Sequence, residues 1–233
     1  MIPAYNEGEN IVGVLRGIHS RVRARPLEVL VVHDFEADTT VPVVRRLQAE
    51  MPEVTLLHNQ LGRGVLNALK AGLGAAEAAH VVVMMADASD DPAEVDRMLA
   101  RALDGADLVA AARYMRGGRQ VGGPLVKRLL SRGAGLSLHW LGGVATHDPT
   151  NNFKLYSRRL LDAVTIESKA GFELALELTV KADRLGMRID EMPTTWRDRT
   201  AGASRFRMRQ WIPHYLRWYG YGLRTRLSRR RGA

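Results

Sequence analysis

Acidic and hydroxyl side chains directly follow an apolar stretch near the middle of the sequence. Residues 81–86 are apolar and rich in Val, and the polar residues that come after them are Asp87, Ser89, Asp90 and Asp91. An apolar run that ends abruptly in polar residues is typical of a buried strand. In open α/β sheets, ligands bind beyond the carboxyl ends of such strands. Carboxylate and hydroxyl oxygens at that point predict a site for a substrate or a hard cation.

The same acids also suit the start of a helix. Pro92 is favoured in a first helical turn, and Asp is favoured immediately before one. We therefore expect Asp90 and Asp91 to cap a helix that begins near Pro92. Asp87 precedes the cap and comes directly off the strand, so it is the stronger candidate for chemistry.

A second acid has the same placement. Asp34 follows the apolar residues 27–32, at the tip of another predicted strand. Two acidic strand ends in one parallel sheet suit a nucleotide-sugar. One carboxylate can accept hydrogen bonds from the base or ribose, while the other holds a divalent cation against the pyrophosphate.

The elements that carry these acids alternate along the first half of the chain. Apolar strands are predicted at 1–4, 27–32, 54–57, 81–86 and 107–112, and helices at 9–22, 41–50, 65–78 and 92–103. This order predicts an α/β fold with a mostly parallel, Rossmann-like sheet and right-handed crossovers. The first strand is shorter than the usual five or so residues. We therefore expect a truncated or mis-assigned N-terminus.

Beyond residue 113 the alternation stops. Helices are predicted at 125–141 and 172–185, a polar loop at 147–153 and an edge strand at 187–196.

The composition excludes several kinds of chemistry. The 233 residues include no Cys, which rules out disulfides, thiolate metal sites and cysteine nucleophiles. No signal peptide is expected, and no uninterrupted apolar run approaches the ~20 residues that span a bilayer. With 46% hydrophobic residues, the chain can bury a sizeable core.

The net charge of +9 is concentrated near the end of the chain. Residues 205–233 contain nine Arg and no Asp or Glu, so this block is expected to bind an anionic surface. Plotted at about 100° per residue, one helical half collects Met208, Trp211, Ile212, Tyr215, Leu216, Trp218, Tyr219 and Leu223. This pattern predicts an amphipathic, basic membrane-interface helix after a domain of residues 1–204. The alternative is a helix packed on its own domain.

At residues 3–7, Pro-Ala-Tyr-Asn-Glu, the sequence resembles the opening motif of family 2 inverting glycosyltransferases with a GT-A fold. The resemblance is strongest to dolichol-phosphate or polyprenyl-phosphate mannosyltransferases. Further segments match family motifs in the same order: 31–34, 62–64, 67–70, 85–92, 113–118, 127–134, 148–153 and 171–173. Each motif is common, but the ordered series over residues 2–205 is specific. The resemblance implies a metal-assisted transfer of a sugar, usually mannose from GDP-mannose, to a polyprenyl phosphate.

The resemblance also implies roles for particular residues. The nucleotide pocket would be lined by Pro3, Ala4, Tyr5, Glu7, Asp34 and Asp87. Asp87, with Ser89 at a weaker position, would hold Mg²⁺ or Mn²⁺ on the diphosphate. The acceptor phosphate would be held by Arg113, Lys127, Ser131 and Arg205. The implied catalytic residues are Asp87, Arg113, Lys127 and Arg205.

The sequence departs from the family pattern at two acids. Met85 replaces the first Asp of the usual Asp-Ala-Asp, and His33 replaces the first Asp of the usual Asp-Asp-Gly-Ser. In both motifs the second acid is present, as Asp87 and Asp34. We therefore expect weaker metal binding than is usual in the family. The loop at 148–153 also has Asn151 and Asn152 in place of Ser and Gly.

The chemistry of the acceptor separates the competing hypotheses. A lipid phosphate is already an anion, so its attack needs positioning and cation assistance rather than a strong base. A saccharide hydroxyl would need a carboxylate base, for which Asp91 and Asp148 are the candidates. A third hypothesis is a catalytically silent nucleotide-binding relative, which the lost acid at Met85 favours. Nucleic acid is not an expected partner. In a helix that reads the groove of DNA, polar side chains contact the bases, whereas aromatic residues occupy the corresponding face of the C-terminal helix.

We therefore expect a peripheral enzyme on the cytoplasmic face of a membrane. Its predicted partners are a nucleotide-sugar, a polyprenyl phosphate and an anionic lipid surface, with a membrane-anchored subunit as a further candidate.

Overall fold

The structure, a computed structural model, describes residues 1–198 and 208–231; in the last helix, side chains are described over residues 212–224. Nine strands lie in this part of the chain: β1 (Ile2–Pro3), β2 (Val29–His33), β3 (Val54–His58), β4 (His80–Val83), β5 (Leu108–Ala112), β6 (Arg119–Val121), β7 (Lys154–Ser157), β8 (Ile189–Pro193) and β9 (Thr195–Arg197). The helices of the same part are α1 (Asn10–Arg21), α2 (Thr40–Leu47), α3 (Val65–Ala75), α4 (Val95–Leu103), α5 (Leu125–Ser137), α6 (Arg158–Ala163), α7 (Leu174–Arg184) and α8 (Met208–Arg231).

The main sheet consists of two parts, a three-stranded sheet of order β3-β2-β1 and a four-stranded sheet of order β4-β7-β5-β8, which meet at β1 and β4. β1, β2 and β3 pair in parallel, and β5 pairs in parallel with β8. The two halves meet where the Met84 amide donates to the Met1 carbonyl at 3.1 Å and the Met1 amino group donates to the Val82 carbonyl at 2.6 Å. β6 and β9 form a separate parallel pair.

Helices cover both faces of the sheet, which explains the continuous apolar runs of its central strands. One buried cluster joins α1, α2 and α4 to the sheet, and another joins α3, α6 and α7 to the opposite face. Every residue of β2 and of β5 is buried. The core therefore fixes the strand ends, and with them the residues that follow each strand.

The predicted α/β fold with a mostly parallel sheet is confirmed, although the prediction lacked the short strand β6 and one strand of the main sheet, β7. β7 lies antiparallel between β4 and β5, and all four of its residues are buried. This strand has only four residues and begins with Lys154. Because a charged residue is not expected in a central strand, the sequence pattern did not indicate one here. The predicted edge strand at 187–196 is confirmed as β8, although the chain leaves the main sheet at Thr194 to form β9.

The helix predicted at 125–141 is α5 together with a π-helical turn at Leu138–Gly142. α8 packs on this turn and on α7. Trp218 of α8 is only 1% exposed, in a cluster with Leu138, Leu176 and Val180. One edge of the predicted apolar half therefore packs on the domain itself. In the described residues, no helix combines the length and the apolar character needed to cross a membrane.

Candidate active site

A cavity of about 1150 Å³ lies at the carboxyl ends of the parallel strands. It is lined by every predicted site residue that the structure describes: Pro3, Ala4, Tyr5, Glu7, Asp34, Asp87, Ser89, Arg113, Lys127 and Ser131. Their convergence follows from the sheet, because parallel strands deliver their carboxyl ends to one edge. Arg205, the remaining predicted residue, lies outside the described part of the chain.

The loop after β1 is held against the cavity by a buried carboxylate. The Asn6 amide donates to both oxygens of Asp38 at 3.0 Å, and the Glu7 amide donates to the Thr40 hydroxyl at 3.0 Å. Asn6 has a φ of +52°, a left-handed conformation that this hydrogen bonding stabilises. The sequence analysis did not single out Asp38 and Thr40, which hold this loop. Asp38 lies just before α2 and Thr40 begins it, which are ordinary positions for capping residues, so they gave no separate signal.

Asp34 orders the glycine-containing loop before α3. One of its oxygens accepts from the Asn59 side-chain amide and the other from the Gly64 amide, both at 2.8 Å. Gly64 has a φ of +125°, which side chains rarely tolerate. The predicted role of Asp34 in reading the base stays a prediction. The structure adds that this carboxylate fixes the wall of the pocket.

Asp87 and Ser89 offer oxygen ligands at the tip of β4. The Ser89 amide donates to Asp87 at 3.2 Å, and the hydroxyl oxygen of Ser89 is buried without a hydrogen-bond partner among the described residues. A carboxylate and an unsatisfied hydroxyl fit Mg²⁺ or Mn²⁺, which take few protein oxygens and complete their shell with phosphate and water. No group of three or more acidic or histidine side chains suited to a metal occurs in the described residues. Any cation here would therefore rely on the diphosphate.

The two acids after Ser89 behave differently from each other. Asp91 caps the following turn by accepting from the Ala93 amide at 3.0 Å, and it pairs with Arg21 on the surface. The predicted cap is therefore confirmed for Asp91. It is wrong for Asp90, whose buried carboxylate turns back to accept from the Met85 amide at 3.4 Å. Burial, and then the nearby charge of Asp87, raise the pKa of Asp90 to about 7.

Arg113 forms a buried ion pair with Asp148 at the end of β5. Its Nε donates to one carboxylate oxygen at 2.7 Å and a terminal nitrogen donates to the other at 2.9 Å, a bidentate geometry. Burial by itself would raise the pKa of Asp148. The Arg113 guanidinium outweighs that effect and holds the pKa below its usual value.

A hydroxyl pair completes this cluster. Arg113 donates to the Ser131 hydroxyl at 3.2 Å, and Ser131 and Thr150 hydroxyls lie 2.7 Å apart. Lys127 lies one helical turn before Ser131 on α5 and lines the same cavity. The structure thus brings the predicted Arg113, Lys127 and Ser131 to one cavity. Two partners orient them: Asp148 holds Arg113, and Thr150 holds Ser131.

The geometry argues against both candidate bases for a hydroxyl acceptor, Asp91 and Asp148. Asp148 is fully buried and engaged by Arg113, so its low pKa makes it a poor proton acceptor. Asp91 is exposed, bound to Arg21, and absent from the lining of the cavity. A phosphate acceptor, which needs no base, fits this site better than a hydroxyl.

The cavity continues from the cationic cluster into a groove between α5 and α8. This end is lined mainly by apolar and aromatic side chains: Leu129, Leu130, Ala134, Ile212, Tyr215 and Leu216. The Tyr219 hydroxyl donates to Ser137 at 2.9 Å and ties the two helices together. One cavity therefore joins an acidic end, a cationic centre and an apolar end.

The sheet is mostly parallel, and acids at its strand ends line a cleft opposite a cationic cluster. This arrangement defines a glycosyltransferase of the GT-A type. Residues 1–165 match the sequence profile of glycosyl transferase family 2, and the chain belongs to that family.

Solved structures support the fold. Glucosyl-3-phosphoglycerate synthase of Mycobacterium tuberculosis in complex with UDP superposes with a TM-score of 0.68 at 22% identity, over 94% of this chain and 78% of that one. The same enzyme in complex with Mn²⁺, UDP and glucosyl-3-phosphoglycerate has a TM-score of 0.64 at 22% identity, over 98% and 77% of the two chains.

Relatives with assigned activities are more similar in sequence. The chain is 32% identical to polyprenol monophosphomannose synthase of Mycolicibacterium smegmatis, over 100% of this chain and 89% of the relative. It is 33% identical to undecaprenyl-phosphate mannosyltransferase of Micrococcus luteus, over 88% and 85% of the two chains.

Proposed function

We propose that the protein transfers mannose from GDP-mannose to a polyprenyl phosphate, with inversion at the sugar. The observation that carries this proposal is the single cavity with three chemically distinct parts. Its acidic end suits a metal-bound nucleotide diphosphate, its cationic centre suits a phosphate, and its apolar end suits a prenyl chain. The names of the two relatives, which are polyprenyl-phosphate mannose transferases, support the same substrates.

At the donor end, the chain's own residues bind and orient the nucleotide. The Tyr5–Glu7 loop, held by Asp38 and Thr40, forms one wall, and the Asp34-ordered loop forms another. Asp87 and Ser89 would hold Mg²⁺ or Mn²⁺, which when bound supplies positive charge to the leaving diphosphate.

At the acceptor end, Arg113 and Lys127 bring positive charge to an anionic phosphate. A phosphate oxygen of the lipid attacks the anomeric carbon while the bond from that carbon to the nucleotide diphosphate breaks on the opposite face. No proton has to be removed from the nucleophile, so alignment and electrostatics carry the reaction. This explains why the acids beside Arg113 serve to orient it rather than to act as bases.

The lipid substrate also requires a position beside a membrane. α5 and the π-helical turn expose apolar side chains next to the groove, with Leu129 at 66% and Trp140 at 68% exposure. Leu216 of α8 is also exposed, and Arg128 and Arg132 of α5 supply positive charge nearby. In this proposal the α5–α8 face, defined by these residues, lies on the anionic cytoplasmic surface of the membrane.

The direct test is transfer of radiolabelled mannose from GDP-mannose to a polyprenyl phosphate in detergent with Mg²⁺ or Mn²⁺. The native protein should form lipid-soluble label, and Asp87→Ala should lose it. Asp91→Ala is the matched control, because it removes a neighbouring acid that does not line the cavity. Absence of label with GDP-mannose or UDP-sugars, from protein that binds nucleotide and is folded, would contradict the proposal.

A further inference from the structure

Lys154 is a fully buried lysine on β7, in the middle of the main sheet. Its ammonium donates to three backbone carbonyls of the preceding loop, those of Asp148 at 3.3 Å, Pro149 at 3.2 Å and Asn151. Burying a charged amine is costly unless its donors are all satisfied. Three carbonyls that converge on one ammonium match its three N–H groups.

The loop that Lys154 holds is the one that orients the cationic cluster. Asp148 and Thr150 project from it toward Arg113 and Ser131. The backbone carbonyls of Asp148, Pro149 and Asn151 instead turn inward to Lys154. Peptide carbonyls and side chains of one short loop thus point to opposite sides. Without a donor on the inner side, the carbonyls would have to turn toward water, and the side chains would turn with them.

Both ends of this loop are tied separately. The Asp148 amide donates to the buried Thr146 hydroxyl at 3.1 Å, and the Asn151 side-chain amide donates to the Ala111 carbonyl at 2.8 Å. Between these two ties, Lys154 is the group that gathers the carbonyls of residues 148, 149 and 151. Its effect should therefore fall on the shape of the loop rather than on its attachment to the sheet.

Charge supports the same role. Arg113 and Lys154 flank the single carboxylate of Asp148, so this buried group of three carries one net positive charge when Lys154 is protonated and none when it is neutral. An anionic acceptor that binds beside Arg113 therefore meets a site in which the negative charge of Asp148 is already neutralised.

We infer that Lys154 is a positioning residue for the acceptor phosphate: it shapes the 148–151 loop so that Asp148 and Thr150 hold Arg113 and Ser131 in place. This inference rests on the proposed function, since it concerns the acceptor side of the same site. Lys154 does not line the cavity and is not expected to contact either substrate.

The test compares Lys154→Met, which removes the donors at similar length, with Lys70→Met as the control. Lys70 also donates to a backbone carbonyl, that of Ser168, but away from the cavity. Binding of farnesyl phosphate and of GDP is measured separately by calorimetry, together with the KM for each substrate. Lys154→Met should weaken farnesyl phosphate binding by roughly tenfold or more, the loss expected for a charge-assisted hydrogen bond. GDP binding should stay within about twofold, a difference of about 0.4 kcal/mol.

Coupling to Arg113 distinguishes positioning from general destabilisation. In an Arg113→Gln background, Lys154→Met should cause little further loss of farnesyl phosphate affinity, because residues that act through one another are not additive. If Lys154→Met does not fold, Lys154→Gln, which retains an amide donor, takes its place in the same measurements. Equal weakening of both substrates, or full additivity with Arg113→Gln, would overturn the inference. Failure of the native protein to bind farnesyl phosphate at all would instead contradict the proposed function.

Discussion

Single residues set the strength of metal and phosphate binding at this site. Asp87 is the one carboxylate at the tip of β4 that lines the cavity, because position 85 is Met and the Asp90 carboxylate points away to the Met85 amide. Mg²⁺ and Mn²⁺ affinity depends on the number of charged oxygen ligands. In the proposed function, a cation at this site would therefore depend heavily on the diphosphate of the donor.

Adding a carboxylate at position 85 should strengthen metal binding. Met85 lines the cavity beside Asp87, so Met85→Asp would provide a second anionic ligand. We expect roughly tenfold tighter Mn²⁺ binding in the presence of GDP, measured by electron paramagnetic resonance. Met85→Asn is the matched control of the same size without the charge. Equal affinity in the Asp and Asn variants would show that position 85 does not reach the cation.

Lys154 should make the folding stability depend on pH. Burial, which outweighs the attraction of Asp148, lowers its pKa from the ordinary value of 10.5 to about 7. Between these values the unfolded chain binds the proton more strongly than the folded one, so stability should rise with pH. The cost of the buried charge is present in full below pH 7 and disappears toward pH 10.5.

The measurement is urea unfolding of the native protein and of Lys154→Met at intervals from pH 6 to 10. The free energy of unfolding of the native protein should rise relative to the variant by roughly 1 kcal/mol per pH unit above pH 7. A difference that is constant with pH would contradict the lowered pKa.

At the scale of elements, α8 divides its apolar side between the protein and the solvent. Trp218 packs against Leu138, Leu176 and Val180, whereas Leu216, two residues earlier, is exposed. The helix thus belongs to the core of the domain and to its surface at the same time. The packed-helix interpretation is confirmed for the side that carries Trp218, whereas the membrane-interface interpretation of the exposed side stays a prediction.

Replacing Trp218 should destabilise the domain, whereas replacing Leu216 should not. Trp218→Ala leaves a cavity in a packed cluster and should lower the free energy of unfolding by about 3–5 kcal/mol. Leu216→Ala, on the exposed side of the same helix, should change it by less than about 0.5 kcal/mol. Denaturant unfolding of both variants measures the difference. A small loss for Trp218→Ala would mean that α8 does not contribute to the folded core.

At the scale of the whole molecule, the proposed function places the α5–α8 face against a lipid surface. Exposed apolar side chains of α5, the π-helical turn and α8 surround the apolar end of the cavity. A water-insoluble acceptor would then enter the groove from the membrane, while the nucleotide-sugar enters from solvent at the opposite end. The fold thus separates the two substrates by their solubility.

Charged residues on this face should reduce membrane binding without affecting the fold. Val126 and Leu129 of α5 are both exposed, so Val126→Glu with Leu129→Glu removes apolar contact and adds negative charge. Sedimentation with anionic vesicles should show at least roughly tenfold weaker binding, because each buried side chain contributes about 1.5–3 kcal/mol. Leu103→Glu on α4, which is 72% exposed on another element, is the control. Unchanged vesicle binding of the double variant would exclude α5 from the membrane surface.

The roles of Arg113, Lys127 and Ser131 came from the resemblance to family 2 motifs. The sequence by itself determined the α/β class, the order of elements up to residue 113 and the placement of Asp34 and Asp87 at strand ends. These features depend on local patterns: apolar runs that make strands, amphipathic runs that make helices, and polar residues at strand ends. In a parallel sheet such ends lie at one edge, so local information was sufficient.

Tertiary structure alone decided the features that depend on distant partners. Arg113 pairs with Asp148, which lies 35 residues away, and Asp90 leaves its predicted cap position for a buried place beside β4. β7 lies between β4 and β5, and this position brings Lys154 under the 148–151 loop. No periodicity encodes these contacts, because burial and pairing energies between distant segments outweigh local preferences.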